Sequence, residues 1–318
     1  MNKFKKIGLT ALAASLVSVS ANAGEMSVSG AASMNVGGYS GEGHDGGATF
    51  SMGNQLTFTG GGELDNGMTV SMSFILDSGT TVFDDHSVTV SSDALGALTL
   101  HGVGGGSATS AMDATAAGNV WDTFDTSIGL ATGVTHNNSA PGANALSYVM
   151  PAIMDGVAVN LSYEPQSSGN SIDSGIGYAV TYTGIEGLTL AYSSSDEVGT
   201  TSALSGDQTA WKASYAYGPI TATITESEFD VATAASDQDV SSMAISYTIS
   251  DELSVTYGTE TIDTGGTGVD AEYDVIKGSY TSGGMTVSAQ RKTAENIDHS
   301  TNNNADLEYW GLGLAFAF

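Results

Sequence analysis

Polar and apolar side chains alternate with a period of two from Met26 almost to the last residue. No stretch reaches the run of roughly 20 apolar residues that a membrane helix needs. In Met26–Val36, Met26, Val28, Ala32, Met34 and Val36 fall on one side, and Ser27, Ser29, Ser33 and Asn35 on the other. Met68–Leu76 and Met285–Gln290 repeat the pattern. A period of two belongs to β-strands, and no segment carries a sustained helical stripe, so the chain is all-β.

Short and long connections take turns along the chain. Tight turns are signalled at Leu64–Met68, Asp93–Gly96, Met154–Gly156, Gly184–Gly187, Tyr217–Pro219, Ser250–Glu252 and Ser282–Gly284. Asn66-Gly67 reads as a two-residue hairpin, since both residues tolerate positive φ. Between the turns lie long Gly, Ser, Thr and Asp-rich stretches: Ser40–Thr49, Asp77–Asp84, Gly104–Ala143, Gln166–Ser174, Ser194–Asp207, Asp230–Asp237, Ile262–Val269 and Ala294–Asn304. About 16 strands of roughly ten residues, with turns at one end and loops at the other, form the pattern of a transmembrane antiparallel β-barrel. Lipid cannot satisfy backbone hydrogen bonds, so a spanning sheet must close on itself. A β-sandwich has fewer strands, and a solenoid has connections of regular length.

The first residues address the chain for export. Lys3, Lys5 and Lys6 precede an apolar stretch, Ile7–Val19, and a small-residue exit, Ala21–Ala23. This is the form of a cleaved signal peptide over 1–23, leaving 24–318 as the barrel, and the apolar part is too short for a membrane anchor. Removing it takes away three of the 7 basic residues and none of the 35 acidic ones, so the rest carries a net charge of −31. Binding to nucleic acid or to an anionic lipid surface is therefore not expected. With no cysteine, thiol catalysis and the common structural zinc sites are excluded too.

Short motif matches do not survive their context. Gly41–Gly46 fits a G-x-G-x-x-G spacing but leads into a strand, with no helix to offer its N-terminus to a pyrophosphate. Gly265–Asp270 resembles half of a calcium-binding nonapeptide but occurs once. The histidines, His44, His86, His101, His136 and His299, are dispersed, and no G-x-S-x-G elbow is present. No catalysis and no cofactor are expected, beyond weak divalent-cation binding by the acidic loops.

The opening EMSVSGAASMNVGGY, the hairpin LTFTGGGELDNGMTVSMSFIL, the strand GALTLHGVGGGSATSAMD and the terminal YWGLGLAFAF together resemble the alphaproteobacterial general porins. The resemblance covers the whole chain in register. It implies a homotrimer of sixteen-stranded barrels in the outer-membrane lipid, each passing small hydrophilic solutes passively, with the third long loop folded into the lumen. Here that loop is Gly104–Ala143, the longest. An inserted loop limits solutes by size and charge.

Candidates for the constriction are Asp113, Asp122 and Asp125 on this loop. The family's cluster of arginines on the opposite wall is missing. Arg291, the only arginine, shares the parity of Met285, Val287 and Ala289 and should point outward. Lys212 and Lys277 alternate with aromatic and aliphatic neighbours and should face water, with Lys292 as a third lumen candidate. Set against the many acids, these two or three lysines predict a strongly negative lumen and a preference for cations, and the acids on the long loops, such as Asp84, Asp85, Glu197, Asp207, Asp230 and Asp237, should repel one another at low salt. Tyr163, Tyr182, Tyr192, Tyr215, Tyr217, Tyr247, Tyr257 and Tyr280 lie near strand ends, as an aromatic belt requires.

In the last strand Trp310, Leu312, Leu314, Phe316 and Phe318 face lipid, while Tyr309, Gly311, Gly313, Ala315 and Ala317 face the lumen. The resemblance further implies that this strand, with Trp310, Leu314, Phe316 and Phe318, is the signal read by the barrel-assembly machinery. Two other readings fit the composition. One is a substrate-selective channel of the same build, and the other is a secreted acidic β-rich adhesin or surface-layer protein.

Overall fold

The computed structural model describes residues 26–41, 46–77, 79, 82–104, 108–112, 114–124, 144–165, 174–198, 206–231, 237–266, 268–301 and 306–318. The expected signal peptide, His44, His136, Asp113, Asp125 and most of Gly104–Ala143 lie outside these residues.

Sixteen strands follow one another along the chain: β1 (Met26–Gly41), β2 (Thr49–Glu63), β3 (Thr69–Asp77), β4 (Phe83–Ser92), β5 (Gly96–Val103), β6 (Ala145–Val149), β7 (Val157–Glu164), β8 (Gly175–Ile185), β9 (Leu188–Val198), β10 (Gly206–Tyr217), β11 (Ile220–Val231), β12 (Gln238–Thr248), β13 (Leu253–Thr264), β14 (Ala271–Ser282), β15 (Met285–Glu295) and β16 (Leu307–Ala317). Each pairs antiparallel with its sequence neighbours, and β1 pairs with β16 to close the barrel. No helix among the described residues is long and apolar enough to cross a membrane. The seam extends to the chain end, where Phe318 N donates to Gly30 O at 2.9 Å and Gly30 N donates to Phe318 O at 2.7 Å.

Short connections join β2 to β3, β4 to β5, and so on to β14 and β15. The first differs from the two-residue hairpin expected at Asn66-Gly67. Gly67 N donates to Leu64 O at 2.9 Å and Leu64 N donates to Met68 O at 2.7 Å, which leaves a three-residue loop, Asp65–Gly67. Only Gly67 has positive φ, 78°, as in a type I turn followed by a left-handed residue. The strands also run further into the long connections than the sequence suggests. Asp84 and Asp85 fall in β4, Asp207 in β10 and Asp230 in β11.

The two faces of the wall are built differently. Hydroxyl pairs link adjacent strands on the inward side near the tight turns: Ser214 with Thr223 at 2.8 Å, Ser246 with Thr256 at 2.7 Å and Thr281 with Thr286 at 2.9 Å. The outward side carries exposed apolar residues such as Ile220, Ile224, Met243, Ile245 and Leu312, with a lipid-like solvent as the reason for their exposure. All eight tyrosines named above share this outward parity. Tyr215, Tyr217, Tyr247 and Tyr280 sit beside the tight turns.

Candidate functional site

Strand register aligns inward-pointing residues into rows that cross the wall. One row runs Lys212, Thr225, Ser242, Glu260, Tyr273, Ala294, Leu307, each opposite the next on the adjoining strand. The row beside it runs Thr223, Ala244, Gly258, Val275, Lys292, Tyr309, Tyr39. Residues 114–124 of the β5–β6 connection lie along these two rows.

Each contact is specific. Ala116 N donates to Thr225 Oγ1 at 2.9 Å, and Ala117 N donates to Ser242 Oγ at 3.0 Å. The Ser242 hydroxyl in turn donates to Thr259 O at 2.8 Å, which fixes its orientation. Glu260 is 1 % exposed and holds the middle of the segment. Its carboxylate accepts from the Thr115 hydroxyl and, at 3.1 Å, from Trp121 N. Opposite Ala117 the wall has Gly258, where a Cβ would stand 2.7 Å from Ala117 Cβ, so only glycine allows this approach.

The segment is shaped to receive these bonds. Gly118 and Asn119 take positive φ, 92° and 52°, folding the chain back on Thr115. The Thr115 hydroxyl accepts from Gly118 N at 3.1 Å and from Asn119 N at 2.8 Å, while Thr115 N donates to Asn119 Oδ1 at 2.9 Å. Past this turn, Val120–Thr123 forms a short 3-10 helix that brings Val120 and Phe124 to the wall, both fully buried. They join Val240, Ile262, Tyr273, Val275 and Leu307 in one apolar cluster. The Phe124 ring packs edge-on to Tyr39 at 6.1 Å and against Tyr273 at 6.0 Å. Tyr39 OH donates to Thr123 O at 2.6 Å, and Lys292 Nζ donates to the Thr123 hydroxyl.

The sequence candidates separate accordingly. Asp122 is exposed on the 3-10 turn. Lys212 and Lys277 both have inward parity, and Lys212 ends the row that continues through Thr225. Lys292 is inward as well, but it is bonded to the segment. Arg291 points outward and pairs with Glu308 at 2.5 Å. Trp310, Leu314, Phe316 and Phe318 share the outward parity of β16.

The acids do not fall where their number suggested. Glu226, Glu228 and Asp230 on β11, Asp239 on β12, Asp263 on β13, and Glu272 and Asp274 on β14 all have outward parity. Outward aromatic residues bond two of them: Trp211 Nε1 donates to Glu226 Oε2 at 2.9 Å, and Tyr257 OH donates to Asp274 Oδ1 at 2.9 Å. Inward strand acids include Glu63, Asp77 and Glu164, besides the engaged Glu260. Among the described strand residues, most carboxylates therefore stand on the outer face, because the period of two sends them there. Among the described residues no group of three or more His, Asp or Glu is arranged to hold a metal ion.

Glu260, Tyr39, Tyr273 and Val120 were not singled out from the sequence. A signal was present: Ala271, Tyr273 and Val275 share the inward parity of Lys277, so an apolar run stands on the water side of β14. Such a run requires something to cover it.

A closed barrel of sixteen antiparallel strands, apolar outside and polar within, is the build of an outer-membrane β-barrel protein. A family model described as Gram-negative porin matches residues 8–273, and the chain belongs to this family of outer-membrane channels. Solved structures share the fold at low identity. The anion-selective porin from Comamonas acidovorans superposes with a TM-score of 0.68 at 15% identity, over 93% of this chain and 100% of that one. Salmonella typhi OmpF in complex with daunomycin gives 0.68 at 13% identity, over 93% and 98%. A loop L8 deletion mutant of OmpT, an outer membrane protein of Vibrio cholerae, gives 0.68 at 16% identity, over 93% and 100%. No curated protein sequence matches the chain significantly.

Proposed function

We propose that this porin is a general diffusion channel for small hydrophilic solutes and ions, without catalysis, and that the loop Gly104–Ala143 folds inward to set its constriction. The observation that carries the reading is the bonding of residues 115–121 to Thr225, Ser242 and Glu260, side chains of inward parity on three successive strands. Asp122, exposed on the loop, and Lys212 and Lys277 on the wall are the described charges assigned to the constriction, together with Asp113 and Asp125. The inward strand acids Glu63, Asp77 and Glu164, with Asp113, Asp122 and Asp125 of the loop, support a preference for cations. In planar bilayers the protein is expected to give stepwise conductance with a reversal potential on the cation side of a salt gradient. A substrate-selective channel would instead be blocked by its own substrate, an adhesin would give no steps, and an anion-side potential would overturn the preference.

The assembly is assigned as a homotrimer. Among the described residues of β1–β5 no Tyr or Trp points outward, whereas outward Tyr or Trp occurs on β6–β10, β12–β14 and β16. Aromatic belts mark contact with the lipid interface, so the β1–β5 sector is proposed to face other copies. Residues 1–23 are assigned as a cleaved signal peptide. Trp310, Leu314, Phe316 and Phe318 are assigned to the assembly signal. Deleting Phe318, whose backbone closes the seam with Gly30, is expected to lower the yield of trimer in the outer membrane.

A further inference from the structure

Between Ala294 and Leu307 the sequence is polar apart from Ile297 and the small Ala305, and an isoleucine in so hydrophilic a connection needs a reason. The backbone around it is unusual. Asn296, Asp298 and His299 take left-handed φ values of 55°, 57° and 53°. A Cβ disfavours this region, and three such residues within four positions persist only where the surroundings over-determine them.

What holds the bend is visible on both sides of it. Asn296 N donates to Asp306 Oδ1 at 3.0 Å, and Asn296 Nδ2 donates to Asp270 O at 3.2 Å. The His299 ring Nδ1 lies 3.0 Å from Val269 O. Gly268 admits His299, since a Cβ there would stand 2.7 Å from His299 Cβ. The β15–β16 connection is thus tied to the β13–β14 connection. The bend turns Ile297 toward the interior, where it is 0 % exposed and belongs to the cluster containing Val120, Phe124, Tyr273, Ala294 and Leu307.

We propose that Ile297 is a positioning residue of the channel, through which the β15–β16 connection holds the inner segment against the β12–β1 side of the wall. The constriction is then set by two connections, with solutes never touching Ile297 itself. The inference rests on the reading that Gly104–Ala143 narrows the lumen. Its chemistry is apolar packing: the cluster fixes where Val120 and Phe124 sit, and hence how far Asp122 and the rest of the segment project.

Single-channel recording in planar bilayers tests this with Ile297→Asp, Ile297→Ala, Ile297→Val, Phe124→Ala and Asp298→Asn, each first checked for heat-modifiable migration. Ile297→Asp and Ile297→Ala are expected to raise closing events and open-channel noise several-fold and to admit larger neutral polymers. Ile297→Val restores the wild-type trace, and the exposed Asp298→Asn leaves it unchanged. Altered traces from Phe124→Ala but not from either Ile297 variant overturn the proposal and leave the inner-loop reading intact. Unaltered traces from all of them overturn both. A second measurement does not depend on the larger substitutions. The chain has no cysteine, so Ile297→Cys and Asp298→Cys can each be treated with a charged thiol reagent from the outer side. Slow modification of Ile297→Cys beside fast modification of Asp298→Cys is expected, and equal rates overturn the proposal.

Discussion

On the outer face of β11–β13, Glu228 stands opposite Asp239 and Asp239 opposite Asp263, three carboxylates in adjacent strands. The inner face of the neighbouring strands carries Lys212, Lys277 and Lys292 instead. Acids and lysines belong to different strands of one continuous sheet, and parity decides which face each takes. The comparison teaches that, on the described strands, most carboxylates stand on the outer surface and not in the lumen. Directly opposed carboxylates repel and are tolerated where water and salt screen them, as above an apolar belt. A lumen is narrow and bounded by low-dielectric walls, so a few charges there act strongly on passing ions.

The largest effect should come from moving a charge to the wrong face in the middle of the wall. Ile245→Arg puts a cation on the outward side of β12, where Ile245 is 54% exposed among apolar neighbours. It is expected to cost about 2–4 kcal/mol of stability in bilayers. Ser246→Arg, one residue on and facing inward, should leave stability nearly unchanged while altering conductance. Urea unfolding in lipid vesicles distinguishes them, and equal losses from both would break the assignment of the two faces.

Next in size is the inner segment's anchor. Glu260→Ala leaves the Thr115 hydroxyl and Trp121 N without their acceptor in a buried place, a cost of about 1–3 kcal/mol. Glu260→Gln keeps an acceptor and should cost less. Thermal unfolding gives the order, and open-channel noise should rise with the same order.

How much of this was legible follows from the range of the interactions. Alternation and turn chemistry are local, so the strands, the tight-turn end and the outward course of β16 could be read residue by residue. Even there the Asn66-Gly67 turn came out one residue longer, because Asn66 keeps ordinary backbone angles and uses its side chain to accept from Met68 N at 3.1 Å. The anchor was not legible. Glu260 looks like any acid in an alternating strand, and its partner Thr115 lies 145 positions away. The placing of charge was no more legible, for a related reason: counting acids ignores parity, and parity can be assigned only once each strand's register is known.

A smaller effect concerns selectivity. Lys212→Glu together with Lys277→Glu is expected to raise the cation-to-anion permeability ratio about threefold, equivalent to roughly 0.7 kcal/mol. Glu226→Lys together with Glu228→Lys, on the outer face, changes the formal charge by as much in the opposite sense. These positions face away from the lumen across the wall, and the salt around them screens exposed charges over roughly 10 Å at 0.1 M. They should shift the reversal potential far less, and a shift of equal size would mean that total charge, not parity, sets selectivity.

The smallest effect is expected where a charge pair lies wholly on the outer face. Arg291 and Glu308 meet at 2.5 Å, but their side chains are 59% and 50% exposed. Water competes for both groups, and holding two long side chains in one geometry costs entropy, so Arg291→Ala should change stability by less than about 1 kcal/mol. Because Arg291 is the only arginine, its removal also asks whether a cation on the outward parity contributes to the pore. If parity decides, the reversal potential of Arg291→Ala stays at the wild-type value, although Lys292, the next residue along β15, points inward to Thr123. A shift as large as that of Lys277→Glu would show that the wall does not insulate its two faces.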